Sequence, residues 1–431
     1  MYFRIIISRE CANFSVIKNS IKLLTMSIYH KIKYFIYHNW INPFKLYLKE
    51  MSFYFFRLFP LQNKVIASTF KGMKYGDNPQ FIYEQLRLLD DKIDFVWLRR
   101  DGYTYEVPSW IRVVSWNMKY KLIYELATAK VIIDTHRFRK FVKKRKGQVF
   151  IETWHGGVAI KKLEADVPKF CDNEVIMAEI KTTNKVADVY ISQSDFLSDI
   201  YKRAFKYEGP IWKCGYPRND ILFSDNSEIS QIVRKKYSLR DEHIVLYAPS
   251  FRDSFYENID VNVYSVDFEK LKQTLSKRFG GKWVVMTRWH PLFSSQIAQN
   301  MSLTSDIIDA TKYPDIQDLL MTVDVVVSDY SSCMFDAALR NIPCFIYATD
   351  VEDYKSDRGT YFEMEELPFS YAPNNEGLMK NILNYNEQDY LFSLNCFFDR
   401  IGLVETGHAG KDIAQKVNRF LKGEKVEWGQ N

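Results

Sequence analysis

The chain has 431 residues, 47% of them hydrophobic and 26% charged, so it is long enough for two domains and too apolar for a disordered segment. Its six cysteines, Cys11, Cys171, Cys214, Cys333, Cys344 and Cys396, include no C-x-x-C pair, which argues against a zinc finger or a disulfide framework and fits a reducing compartment. The formal charge of +6 is unevenly placed: residues 1–60 hold nine Lys/Arg and two acids, so the rest of the chain is close to neutral and no general nucleic-acid-binding surface is indicated.

Residues 1–63 read as a basic amphipathic helical arm. Ile17, Ile21, Leu24 and Ile28 recur at helical spacing beside Lys18 and Lys22, and residues 53–61 are apolar apart from Arg57. No window supplies the ~18 uncharged apolar residues of a spanning helix, and the run at 5–7 is too short for the core of a signal peptide. A basic, aromatic, amphipathic arm suits the anionic face of a membrane, which makes that surface an expected partner. The alternative is a helix packed on the protein's own core with its lysines in solvent.

From residue 64 short apolar runs alternate with helical segments. Strands are expected at 65–68, 95–98, 131–134, 149–151 and 189–192, with helices at 79–89, 119–129 and 195–205. The polar stretch 225–242 interrupts the pattern, which restarts with strands at 244–248, 283–286, 323–327 and 344–347 and closes on a helix at 412–421. This predicts an α/β protein of two doubly wound parallel-sheet domains, 64–230 and 231–431, facing a cleft between the carboxyl ends of their strands. The final helix is expected to pack back across the domains.

Three strand ends carry residues suited to chemistry. Ser328-Asp329-Tyr330-Ser331-Ser332 joins an apolar strand to a helix-like segment at 333–340. Such a turn aims hydroxyls and unpaired N–H groups at one point, which suits a phosphate; the plainer reading is ordinary helix capping. Thr153-Trp154-His155-Gly156-Gly157 and Thr287-Arg288-Trp289-His290-Pro291 stand at two others. A neutral imidazole can take a proton from a hydroxyl, and a protonated one can stabilise developing phosphate charge. The structural alternative for each is a hydrogen-bonded histidine at a strand end, but two at matching positions favour chemistry.

Walker A, G-x-G-x-x-G, G-x-S-x-G and H-E-x-x-H patterns are absent, as is a D-x-D pair of the kind that holds a metal-bound nucleotide sugar. The motifs name no cofactor and no metal ligands, and leave metal dependence open. His136, with Arg137, Arg139 and Lys140 beside it, reads as basic surface; Asp350 and Asp353 read as turn caps. The run 143–146 reads as a solvated loop or a further lipid or acceptor contact.

In these residues the chain resembles the CDP-glycerol glycerophosphotransferase family of teichoic acid and capsule polymerases, from about residue 64 to the C-terminus. The pieces, in family order, are Lys74-Tyr75-Gly76-Asp77-Asn78-Pro79, Thr153-Trp154-His155-Gly156, Lys161-Lys162-Leu163 with Asp166, and Gly215-Tyr216-Pro217-Arg218-Asn219-Asp220. They continue with Tyr247-Ala248-Pro249-Ser250-Phe251-Arg252, His290-Pro291, the turn 328–332, and Arg358-Gly359 with Tyr361. The resemblance implies a GT-B-like architecture and transfer of glycerol phosphate, or a related polyol phosphate, from CDP-glycerol to a hydroxyl of a lipid-linked polymer, with release of CMP. It implies a peripheral enzyme on the cytoplasmic face of the membrane, acceptor side in 64–230 and donor side in 231–431. On the acceptor side His155 is the expected general base, and Gly156 after it is expected to let the backbone approach the substrate closely. On the donor side His290, a second catalytic residue, and Arg288 are expected to stabilise the pyrophosphate. Ser328, Ser331 and Ser332 are expected to hold phosphate, Asp329 to orient the turn or the donor, and Arg252 and Arg358 to face the donor.

Three positions depart from the family pattern. Gly157 stands where threonine is frequent, which is expected to loosen acceptor contacts; Leu367-Pro368-Phe369 lacks a glycine after the proline; and Thr406-Gly407, followed by His408, replaces Asp-Gly. The polyol and the acceptor are therefore left undetermined. The competing readings are a GT-B glycosyltransferase using a nucleotide sugar, disfavoured by the missing acidic pair, and a scaffold that lost catalysis, disfavoured because His155, His290 and Ser331 are all present.

Overall fold

The computed structural model describes residues 42–137, 141–225, 227–252, 261–289 and 307–429. His290 and the larger part of the expected arm, residues 1–41, lie outside the described residues. The first half of the chain forms β1 (Gln62–Ser68), β2 (Asp94–Arg99), β3 (Arg112–Ser115), β4 (Ala129–Asp134), β5 (Val149–Glu152), β6 (Val189–Ser192) and β7 (Ile211–Lys213), in spatial order β3-β2-β1-β4-β5-β6-β7. The second half forms β8 (His243–Tyr247), β9 (Trp283–Thr287), β10 (Ile307–Asp309), β11 (Val325–Ser328), β12 (Cys344–Tyr347) and β13 (Ser370–Ala372), in order β10-β9-β8-β11-β12-β13. Neighbouring strands in both sheets pair in parallel.

Helices cover both faces of each sheet, so the central strands are buried on both sides and appear in the sequence as continuous apolar runs. The edge strands β3, β7, β10 and β13 are absent from the sequence expectation. They have three or four residues and are only partly buried, so they lack the run that marks a central strand. Strand order reverses between β1 and β4 in one sheet and between β8 and β11 in the other, and crevices for ligands form beyond the strand ends at such points.

Helix Asn42–Phe56 packs on the body through one face and leaves the other in solvent. Phe53 is fully buried in a cluster with Leu122, Ile123 and Leu126 of helix Lys119–Thr128, whereas Phe44, Tyr47, Leu48, Met51, Tyr54 and Phe55 remain exposed. The basic run 143–146 is a loop whose Lys146 is exposed and whose other three cations find partners in the fold. Lys143 pairs with Glu50 at 2.9 Å, Lys144 with Asp188 at 2.5 Å, and Arg145 Nη1 donates to the carbonyls of Arg57 and Phe59 at 2.8 Å, so the run clamps this helix to the body.

The C-terminal helix, Ala409–Leu421, starts three residues earlier than expected. It buries Ile413, Ala414, Val417 and Leu421 in the core of the first sheet, against helix Asp77–Leu89. The chain returns there after helix Glu387–Ile401, which packs in the second core and ends on left-handed Gly402. A second crossing lies at 160–162, where Lys162 N donates to the Gly359 carbonyl and Tyr361 N to the Ile160 carbonyl. The two halves are thus joined by several strands of chain.

Candidate active site

Strand β5 delivers the loop 153–157, and its backbone is held by side chains from distant elements. The Asn78 amide donates to the carbonyls of Thr153 and Trp154, Arg218 Nη1 donates to the His155 carbonyl at 2.7 Å, and the Tyr216 hydroxyl donates to the Gly156 carbonyl at 3.0 Å. Below the loop, buried Glu152 accepts from Trp154 N. Trp154 itself adopts φ +52°, a left-handed conformation that costs a non-glycine residue about 1–3 kcal/mol and persists only where surrounding contacts over-determine it.

His155 is half-buried among the rings of Phe70, His136 and Trp154, with centroids 5.0, 5.7 and 4.2 Å away. Its Nδ1 lies 2.8 Å from the Thr135 carbonyl. A carbonyl only accepts, so Nδ1 carries the proton and Nε2 keeps its lone pair. Burial lowers the pKa of His155 below the ordinary histidine value, against the Thr135 hydrogen bond and Asp77, which favour the charged form. The result is a neutral imidazole in a fixed tautomer, the state a general base requires.

In the second half, the hydroxyl turn after β11 is braced from within. Ser328 Oγ donates to the Ala248 carbonyl at 2.6 Å and is fully buried. Asp329 accepts from Ser250 N, Tyr330 N and Arg252 Nη1 at 2.6–2.7 Å. Arg252 spends its remaining nitrogens on Asp350, at 2.6 and 3.0 Å, and its guanidinium lies against the rings of Tyr264, Tyr330 and Tyr354.

These contacts engage three residues expected at the donor. Arg252 is 3% exposed and committed to two carboxylates, Asp329 and Asp350. Ser328 Oγ is spent on the Ala248 carbonyl and ties β11 to the segment after β8. Asp329 joins the turn to Ser250 and Arg252. Asp350 occupies the cap position of helix Val351–Asp357 but makes no capping bond, because its carboxylate belongs to Arg252.

Ser331 and Ser332 are half-buried. Ser331 Oγ accepts from Cys333 N at 3.4 Å, and Ser332 makes no side-chain cap to helix Cys333–Ala338. Arg288, at the end of β9, is half-buried; its Nη1 donates to the carbonyls of Ala310 and Tyr313, and it has no ion-pair partner among the described residues. Arg358 Nε donates to the Lys162 carbonyl at 3.4 Å, which places it at the crossing between the halves. No group of three His, Cys, Asp or Glu side chains that could hold a metal ion occurs among the described residues.

Sequence reasoning missed His136. Its ring lies nearly parallel to Trp154 and beside His155, and burial, with His155 and the cations of Lys71 and Arg137, lowers its pKa to about 2. It follows β4, the neighbour of β5, and that adjacency was the available signal. Gly157 lies where a side chain from the second half reaches the loop: a Cβ there would stand 3.2 Å from Asp336 Oδ1 and from the Gln193 side-chain amide and 3.4 Å from Arg218 Nη2.

Two doubly wound parallel sheets, with a histidine loop at the strand ends of one and a hydroxyl turn at those of the other, define a GT-B-like transferase fold. The chain belongs to the CDP-Glycerol:Poly(glycerophosphate) glycerophosphotransferase family, which it matches over residues 50–419. It is 29% identical over 385 residues to the teichoic acid poly(glycerol phosphate) polymerase of Bacillus subtilis, covering 85% of this chain and 50% of that protein. It is 28% identical over 411 residues to the teichoic acid glycerol-phosphate transferase of Staphylococcus aureus, covering 90% and 99%. The solved structure of the wall teichoic acid polymerase TagF superposes with a TM-score of 0.74 at 26% identity, covering 89% of this chain and 96% of that one. The chain spans about half the length of the first curated relatives it matches.

Proposed function

We propose that this protein transfers glycerol phosphate from CDP-glycerol to a hydroxyl of a teichoic acid or related lipid-linked polymer. The acceptor oxygen forms a bond to the glycerol-bearing phosphorus, the phosphoanhydride bond breaks, and CMP leaves. The observation that carries the reading is the Nδ1 hydrogen bond of His155 to the Thr135 carbonyl, which leaves Nε2 as the proton acceptor for the attacking hydroxyl. Ser331, Ser332 and Arg288 supply hydroxyls and a cation for the donor phosphates, Arg358 faces the donor from the crossing between the halves, and His290 stabilises the pyrophosphate together with Arg288. Such a site acts by positioning and charge stabilisation. Family membership and the names of the relatives support the donor class.

The test is mass analysis of the products formed when CDP-glycerol, CDP-ribitol and a UDP-sugar are each offered with a lipid-linked acceptor. A phosphodiester-extended acceptor and CMP from a CDP-polyol are expected. A glycosylated acceptor from the UDP-sugar would overturn the reading.

The reading includes peripheral attachment to the cytoplasmic face of the membrane. No helix among the described residues is long and apolar enough to cross a bilayer. Support comes from the exposed apolar face of helix Asn42–Phe56 and the basic residues of the first 60 positions. Replacing Phe44, Leu48 and Phe55 by serine is expected to reduce sedimentation with anionic vesicles and to leave the melting temperature unchanged, since exposed substitutions rarely shift stability by more than about 0.5 kcal/mol. Unchanged sedimentation would place the attachment elsewhere.

A further inference from the structure

The carbonyl of His155 is held by a buried cation that also reaches the other half of the protein. Arg218 is 5% exposed and sits in the turn Pro217–Phe223. Its Nη1 donates to the His155 carbonyl at 2.7 Å and to Asp77 Oδ1 at 3.3 Å, and its Nη2 donates to Asp336 Oδ2 at 3.2 Å. Asp77 opens helix Asp77–Leu89 in the first half, and Asp336 lies on helix Cys333–Ala338, directly after the hydroxyl turn. One guanidinium therefore touches the loop of the expected base and the helix that continues the donor turn.

The far end of this contact is itself fixed. Asp336 Oδ1 accepts from Asn219 Nδ2, and its Oδ2 accepts from Gln317 Nε2, whose other contact is Asn219 Oδ1. Asn219 also donates to Glu405, on the segment that returns to the first half. All of these side chains except Glu405 are at most 5% exposed, so the ion pairs are shielded from solvent and a missing partner would leave a buried charge. Burial opposes the charge of Arg218, but Asp336 and Asp77 outweigh it and hold it firmly as a cation. Asp336 and Arg218 approach the loop closely at Gly157, where a Cβ would stand 3.2 Å from Asp336 Oδ1 and 3.4 Å from Arg218 Nη2.

We propose that Arg218 is a positioning residue for the transfer reaction: through Asp336 it locks the His155 loop to the donor-side helix, so that base and donor phosphates keep one separation. The inference rests on the reading of His155 as the base. Misplacing a reacting group by about 1 Å costs on the order of 10²-fold in rate. A lysine at 218 keeps the charge but cannot reach His155, Asp77 and Asp336 together, because an ammonium has no fork.

The experiment compares Arg218→Lys, Arg218→Gln, His155→Ala and the double variant His155→Ala/Arg218→Lys in the full chain, with CDP-glycerol and a lipid-linked acceptor. Arg218→Lys is expected to lower kcat by about 10- to 100-fold, with KM for CDP-glycerol unchanged. In the His155→Ala background the same change is expected to cost almost nothing, because the group it positions is gone. The titratable and charged groups facing His155 are Asp77, Arg218, Lys161 four residues past the loop, and the neutral His136 ring after the end of β4. Arg218→Gln removes one cation, so the acidic limb of the kcat–pH profile should move to higher pH, while Arg218→Lys should leave it in place. If His155→Ala retains full activity, the base assignment fails. If His155→Ala is impaired and the lysine change costs as much with or without His155, the positioning role fails and the contact is structural only. Should the Arg218 variants not fold, Asp336→Asn carries the test, since it keeps the shape and weakens the far end. Lower kcat with unchanged CDP affinity is expected, and wild-type kcat would overturn the proposal.

Discussion

The two strand ends of the candidate site are braced differently. The loop 153–157 is held by Asn78 and Tyr216 of its own half and by Arg218, which also binds Asp336 of the second half. The turn 328–332 is held by Ala248, Ser250, Arg252 and Asp350, all on segments that follow strands β8 and β12 of its own sheet. The turn thus takes its bracing from its own half, and the loop takes part of its bracing from the junction between the halves. On the proposed reading, a substitution behind the turn should weaken donor binding, whereas one at the junction should disturb the relation between the two sides.

The largest expected effect comes from removing the proposed base. His155→Ala should lower transfer by about 10²–10⁴-fold while CDP-glycerol binding persists, because on that reading the imidazole serves the acceptor hydroxyl; full activity would break the comparison at its root. Arg252→Ala comes next. It leaves Asp329 and Asp350 buried without their cation, a loss of about 3–5 kcal/mol, read as a lowered melting temperature together with weakened CDP affinity. Were the melting temperature to fall with CDP affinity intact, the brace would have no bearing on the donor site.

Ser331→Ala combined with Ser332→Ala removes two hydroxyls from the turn. Hydrogen bonds to charged groups contribute about 1.5–3 kcal/mol each, so calorimetry should show CDP affinity weakened by more than tenfold and an unchanged melting temperature. The smallest effect is in pH dependence. A base must be unprotonated to act, and burial lowers the pKa of His155, so the acidic limb of kcat should lie below the ordinary histidine value of about 6.5. A limb at or above that value would show that the loop in the working enzyme is wetter than its packing implies.

Much of this arrangement was legible in the amino-acid sequence. The central strands declared themselves as apolar runs, since a parallel strand buried on both faces has no polar side to interrupt it. His155 and the hydroxyl turn were found because chemistry collects at the carboxyl ends of such strands, and their order along the chain carried the family resemblance. The sequence also held Arg218, Asn78 and Asp336, yet nothing local marks them as partners of His155. Their spacing follows no helical or strand period, and each acts only once the two sheets are docked. The same holds for Arg252, which the family resemblance assigned to the donor and which the fold pairs with two buried carboxylates, and for Lys143, Lys144 and Arg145, which meet Glu50, Asp188 and two carbonyls. Local pattern therefore determined the elements and the side chains available for chemistry. Which of those side chains face a substrate and which face one another was decided by tertiary packing, because a buried charge must find its counter-charge wherever the fold brings it.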